Sequence, residues 1–281
     1  MSRPITTFSI SLALSFFLMV QACNSSEVTL EKTMEITPNT SKEKTLLAVF
    51  AHPDDESTVG PVLAKYVREG ATVHLVIATD GRLGVNDFNG MEAGDDLAAI
   101  RRKEMQCAAE ALEVNLIHLD YHDQLKAGEG YDGHMPHAQS LIKKVHQLVS
   151  DLQPDVLLTF GPDGGSNHLD HRLIEATTTA VFLSKEWEKP TALYYVGTPA
   201  SIMENEESKI LRGVADNYLT TEVAFSDEDF EKAVTSMLCH KSQFQSEGLR
   251  ERMVQRRKER GSKIYFRKLV VDSEASDDLF H

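Results

Sequence analysis

Thr45-Leu46-Leu47-Ala48-Val49-Phe50-Ala51, running without a break into His52-Pro53-Asp54-Asp55-Glu56, is the stretch that decides how this chain is read. An uncharged, largely apolar run of this length is too short for a buried helix. It suits a strand covered on both faces. The pattern recurs at Thr72–Ala78 (TVHLVIA), Leu116–Leu119, Asp155–Phe160 (DVLLTF) and Ala192–Val196 (ALYYV). Segments of helical period separate these runs: Thr58–Arg68 with Gly70 as a stop, Leu97–Leu112, Pro136–Val149 with proline in its first turn, and Leu169–Ser184. A further strand near Tyr218–Ala224 and a helix from Asp227, capped by Ser226, complete the pattern. Strand-helix alternation with continuous apolar strands predicts an α/β fold, a mostly parallel sheet with helices on both faces. No internal repeat is visible, and residues 45–281 read as a single domain.

The remaining composition narrows the class. The chain has 281 residues, 41% hydrophobic and 26% charged, which excludes general disorder and a multi-span membrane protein. A formal charge of −14 argues against binding a nucleic-acid backbone. Three cysteines cannot make a disulfide scaffold. Cys107 and Cys239 either pair in an oxidising compartment or serve as small core residues.

The N-terminus reads as an address. One cation, Arg3, precedes an uncharged run from Phe8 to Val20. That run is shorter than the roughly 20 residues a spanning helix needs and fits a secretory signal core. Val20-Gln21-Ala22-Cys23 then resembles the lipobox of bacterial lipoproteins. The expectation is a signal peptide over 1–22, lipid on Cys23, a polar tether over 23–44, and a membrane-anchored protein facing the periplasm or cell surface.

In doubly wound sheets, ligands bind beyond the carboxyl ends of the strands. There the sequence is dense in chemistry. The first strand delivers His52, Asp54, Asp55 and Glu56. The fourth delivers Gly161-Pro162-Asp163-Gly164-Gly165-Ser166-Asn167-His168-Leu169-Asp170-His171, whose glycines permit close approach to a ligand. His168 and His171, three apart, share a helix face. Imidazole with carboxylate suits zinc or iron. A catalytic site takes three protein ligands and leaves one position open. His52, one carboxylate of the acidic run and one histidine of the His-x-x-His pair make such a set. The leftover carboxylate and histidine supply acid-base groups for metal-assisted amide hydrolysis.

Ala51–Glu56 and Gly161–His171 closely resemble the two signature motifs of the PIG-L/LmbE-like family of zinc-dependent N-deacetylases. The resemblance extends over most of residues 45–245 and implies a Rossmann-like fold. It implies His52, Asp55 and His171 as ligands of Zn2+, with Fe2+ or another divalent ion as alternatives. It implies Asp54 as general base, and His168 as the protonated group that faces the oxyanion and protonates the leaving amine. Asp170 would orient a histidine, His168 in the first instance. Leu169 replaces the proline common at that place. Arg101 and Asp123 match substrate-contacting positions. The activity implied is release of acetate from an N-acetylated sugar or glycoconjugate of the N-acetylglucosamine type. Alternatives are hydrolysis of another amide or a phosphoester, or a sugar-binding lipoprotein without catalysis. The loop Thr79–Asn86 should border the pocket. Lys126–His137 reads as an inserted loop, a candidate lid.

Overall fold

The computed structural model describes residues 44–88, 90–190 and 192–269. The export signal, Cys23 and almost all of the tether lie outside these residues, as does the end of the predicted 45–281 domain.

The elements follow in chain order: β1 (Thr45–Phe50), α1 (Gly60–Arg68), β2 (Thr72–Thr79), α2 (Asp95–Leu112), β3 (Asn115–Tyr121), α3 (Tyr131–Leu152), β4 (Val156–Phe160) and α4 (Leu169–Leu183). Then come β5 (Ala192–Pro199), α5 (Glu206–Arg212), β6 (Gly213–Val214), β7 (Thr221–Ala224), α6 (Asp227–Cys239), α7 (Leu249–Arg260) and β8 (Lys263–Lys268). Local chemistry sets several boundaries. Pro61 occupies the first turn of α1, where its missing N–H costs nothing. Asp95 and Asp96 face the positive end of α2. Ser226 and Asp229 form a reciprocal capping box on α6.

The main path of the sheet runs β3-β2-β1-β4-β5-β8-β7, with β6 attached beside β5. The first five strands are parallel, and β8 joins antiparallel to both β5 and β7. Leu46, Leu47 and Ala48 pair with β2 on one side and β4 on the other, so β1 is central. Right-handed crossovers leave β1 and β3 in opposite directions, which puts α1 and α2 on one face and α3 and α4 on the other. Accordingly α1 and α2 pack with α6, and α3 packs with α4. Leu47, Val49, Phe50, Leu75, Ile77 and Leu157 lose all solvent contact, each contributing about 1.5–3 kcal/mol of apolar burial.

Three sequence expectations change. The helix placed at Pro136–Val149 begins at Tyr131, with Pro136 inside it, because the ring removes only one hydrogen bond near an exposed end. The supposed loop Lys126–His137 is therefore mostly helix. Before it, Gln124, Leu125 and Lys126 run through left-handed backbone, anchored by the buried Leu125 and by a hydrogen bond from Gln124 N–H to Asp170. Finally, α5, α7 and β8 were not foreseen. Cys107 and Cys239 form a disulfide that ties α2 to the end of α6.

Candidate active site

The strand order reverses direction between β1 and β4, and the loops leaving these two strands meet there. The β1 loop turns sharply. Asp54 has φ of 110°, an unfavourable value for a residue with a side chain. Three contacts hold it. Asp54 N–H donates to Glu56 Oε2 at 3.0 Å, Arg101 Nη2 donates to the Pro53 carbonyl, and the Arg101 guanidinium lies 3.3 Å from Asp54 Oδ1. Beneath them Glu56 and His240 are both wholly buried, and His240 Nε2 meets Glu56 Oε1 at 2.7 Å. Neither residue was assigned from the sequence. Glu56 stood in the acidic run as one unassigned acid, and His240 has no spacing that links it to that run.

Asp55 turns inward. Its Oδ2 accepts the N–H groups of Ala51 at 3.1 Å and His52 at 2.6 Å, and its Oδ1 lies 3.1 Å from His171 Nε2. Burial opposes ionisation, but His171 and His52 outweigh it and hold the carboxyl well below the usual range. On the β4 side, Gly164 has φ of 65°, and a Cβ there would lie 2.7 Å from the His171 Cβ. Glycine therefore permits the turn that lets the Gly164 carbonyl accept from His171 Nδ1 at 2.8 Å. Phe160 stacks on the His171 ring, with centroids 4.3 Å apart.

These bonds fix the tautomers. His52 Nε2 lies 3.0 Å from Asp170 Oδ2, an acceptor, so the ring carries its proton there and His52 Nδ1 keeps a lone pair. His171 donates from Nδ1, so its Nε2 keeps a lone pair too. The two lone pairs face each other at 3.1 Å, with the Asp55 oxygens 3.1 and 3.5 Å away. Such a convergence of donors without a shared proton is what a divalent cation satisfies. Burial opposes the charge on His52, yet Asp170 and Asp55 push its pKa up to about 10, and Asp55 raises His171. The residues present fit zinc or a similar ion.

Asp54 sits beside this group. Burial is the main cause that pushes its carboxyl up to about 7; Arg101 opposes the rise, and Asp55 adds to it. His168 caps α4 at the cleft mouth, its Nδ1 accepting from Asp170 N–H at 3.2 Å, which leaves the proton on Nε2. Ligand atoms of His168 lie within 4.8 Å of those of His52 and His171. Two expectations are corrected here. The Asp170 carboxylate bonds His52, not His168. His168 is not drawn toward the protonated form either: burial, then the charges of His52 and His171, push its pKa down.

Arg101 and Asp123 lie next to this group. Both are 3% exposed. Arg101 Nη1 donates to the Gly81 carbonyl at 2.8 Å, and Asp123 accepts Gly81 N–H at 2.9 Å and Leu83 N–H at 2.8 Å. Asp123 thus holds the loop after β2, and Arg101 braces that loop against the β1 loop.

Residues 47–182 match the family described as PIG-L, GlcNAc-PI de-N-acetylase. Among relatives, 195 residues are 31% identical to the 1D-myo-inositol 2-acetamido-2-deoxy-alpha-D-glucopyranoside deacetylase of Rhodococcus jostii. That match covers 58% of this chain and 64% of the relative, so the chain spans less than two thirds of its length. The N,N'-diacetylchitobiose deacetylase of Pyrococcus horikoshii shares the fold, with a TM-score of 0.58 and 20% identity over 81% of this chain and 84% of that one. So does the 4-carboxy-2-hydroxymuconate hydratase of Pseudomonas putida, with a TM-score of 0.56 and 18% identity over 84% and 99%. A hydratase on the same fold leaves the chemistry to be argued from the side chains.

Proposed function

We propose that this protein is a metal-dependent N-deacetylase acting on an N-acetylglucosamine-type conjugate. The observation that carries this reading is the pair of imidazole lone pairs held against Asp55, with the separate, part-buried carboxylate of Asp54 next to it in the chain. His52 Nδ1, Asp55 and His171 Nε2 would hold a zinc or similar divalent ion. Such an ion lowers the pKa of water and polarises a carbonyl. Asp54 takes the proton of the attacking water. Its raised pKa, near neutrality, suits a general base. The Nε2–H of His168 donates a hydrogen bond to the oxyanion that develops on the acetamide, and the proton that Asp54 took from the water passes to the departing amine. Asp170 keeps His52 in the tautomer that presents Nδ1 inward. Products are acetate and a free amine.

The test is metal analysis together with acetate release. Purified protein should carry close to one divalent ion per chain. It should release acetate from N-acetylglucosamine conjugates, lose that activity to a chelator, and regain it with zinc. Activity that survives complete removal of metal would overturn the reading. The Val20–Cys23 sequence further supports export and lipid attachment at Cys23. On that reading Cys23→Ala moves the protein from the membrane fraction to the soluble one, and unchanged fractionation refutes it.

A further inference from the structure

Three arginines stand out beyond the catalytic residues. Arg256 and Arg260 lie one turn apart on α7, and Arg212 ends α5. Several neighbouring cations are matched: Arg250 with Glu231, Arg257 with Asp227, Lys263 with Glu222. Arg252 donates to the carbonyls of Gln245 and Glu247. Arg212, Arg256 and Arg260 make no salt bridge or hydrogen bond among the described residues, in a chain of formal charge −14. They also feel one another. Burial and then Arg256 push the pKa of Arg260 down, with Arg212 adding to the effect; Glu259 and Glu204 act on it in the opposite sense without pairing.

Their position gives the cluster a use. A cavity of about 250 Å³ is lined by Arg256, Arg260, Lys263 and Tyr265, with Phe230 and Met253 as apolar surface. A second cavity, of about 140 Å³, is lined by Asp55 and His171 at one end and by Arg212 at the other. Thr58 and the β5 backbone Val196-Gly197-Thr198 line both. The catalytic residues and the arginines therefore share walls of one cleft. Neighbouring guanidinium groups that no carboxylate pairs with gain when an oxyanion sits among them, and their planar forks suit phosphate and carboxylate oxygens.

We propose that Arg212, Arg256 and Arg260 form an anion subsite of the catalytic cleft, which holds a phosphate or carboxylate carried by the group attached to the amino sugar. The inference rests on the deacetylase reading for its substrate and on the cleft alone for its anion. The apolar wall at Phe230 and Met253 would lie against the part of the aglycone that joins sugar to anion.

The experiment compares three substrates with wild-type holoenzyme and with an Arg212→Gln/Arg256→Gln/Arg260→Gln variant. They are N-acetylglucosamine 1-phosphate, an N-acetylglucosaminide of glycolate, and the uncharged methyl N-acetylglucosaminide. The ratio of kcat/KM for each anionic substrate to that for the methyl glycoside is the readout. In wild type it should exceed about tenfold, the worth of one charge-assisted contact, and it should fall as salt rises. In the variant it should collapse toward one. A preference for the phosphate or the glycolate identifies which oxyanion the subsite takes. A second arm titrates inorganic pyrophosphate by calorimetry into chelator-treated protein: wild type binds it and the variant does not. If none of the substrates is turned over, the deacetylase reading fails while the calorimetric arm still decides the subsite. A wild-type ratio near one, or equal pyrophosphate binding by the variant, overturns the proposal. The variant's urea midpoint should not fall, since the change relieves repulsion. A lower midpoint would assign the arginines to structure and also overturn it.

Discussion

Replacing His240 with leucine tests the buried support beneath the candidate catalytic carboxylates. Glu56 and His240 have no solvent exposure, and each is the other's charged partner at 2.7 Å. Without the imidazole, Glu56 keeps only Asp54 N–H at 3.0 Å and the Ser236 hydroxyl at 3.4 Å. A buried carboxylate stripped of its counter-charge costs about 3–5 kcal/mol, a large part of the 5–15 kcal/mol that holds a typical domain together. Glu56→Gln keeps an oxygen for Asp54 N–H and removes the charge. The Glu56→Gln/His240→Leu protein should therefore recover much of the loss, with a coupling of about 2 kcal/mol or more between the two sites. Urea unfolding of wild type, both single variants and the double variant measures all four corners. Single-variant losses that add to within about 0.5 kcal/mol, or a His240→Leu cost below about 1 kcal/mol, would refute a charged pair here.

Further outcomes follow from the same geometry. Asp54→Asn should keep its metal and lose about 10²–10⁴-fold in turnover, whereas Asp55→Asn should bind metal weakly and be partly rescued by added zinc; rescue of the first and not the second would swap the two roles. Cys107→Ser should lower the urea midpoint, because the bond closes a separation of 132 residues and the chain-entropy account gives a ceiling of about 5 kcal/mol; an unchanged midpoint in non-reducing buffer would show that the bond contributes nothing. The pKa of His240 is raised, burial being outweighed by Glu56 and, further off, Asp54 and Glu104. Its stabilisation is thus complete below the ordinary value of about 6.5 and fades as pH climbs through the raised value. The urea midpoint of wild type should decline on going alkaline, and a Glu56→Gln/His240→Leu protein should lack that share of the decline.

The parallel sheet was legible because its strands are continuous apolar runs, and the catalytic loops were legible because ionisable side chains follow two of those runs directly. The end of the domain was not. Helix α7, LRERMVQRRKER, buries only Leu249 and offers no apolar stripe, and β8, KIYFRK, is framed by lysines. The position of β8 is set by tertiary pairing with β5 and β7, and α7 packs on α6, neither of which a local pattern announces. Partner choice was equally hidden. Asp170 lies two residues from His168 in sequence, yet the approach of β1 to β4 brings His52 to its carboxylate. Arg101 read as a helix charge free to reach a sugar, and only the loop geometry shows its guanidinium turned onto Gly81, Pro53 and Asp54. His240 is separated by 184 positions from the acid it neutralises.

The placement of β8 between β5 and β7 has a consequence for how the molecule comes into being. It is the last strand in the described sequence, yet it fills an interior lane of the sheet. A growing chain can lay down β1 to β5, together with both catalytic loops, while β7 still has no neighbour and β5 still shows an open edge. Exposed edges of this kind invite association with other chains. Synthesis that stops short of Lys263, or a protease cut between Arg260 and Lys263, would thus yield a product with its chemistry assembled and its sheet unsealed. The Lys263–Tyr265 wall of the arginine cleft would be missing from the same product, so anion recognition should be the last property the nascent protein acquires.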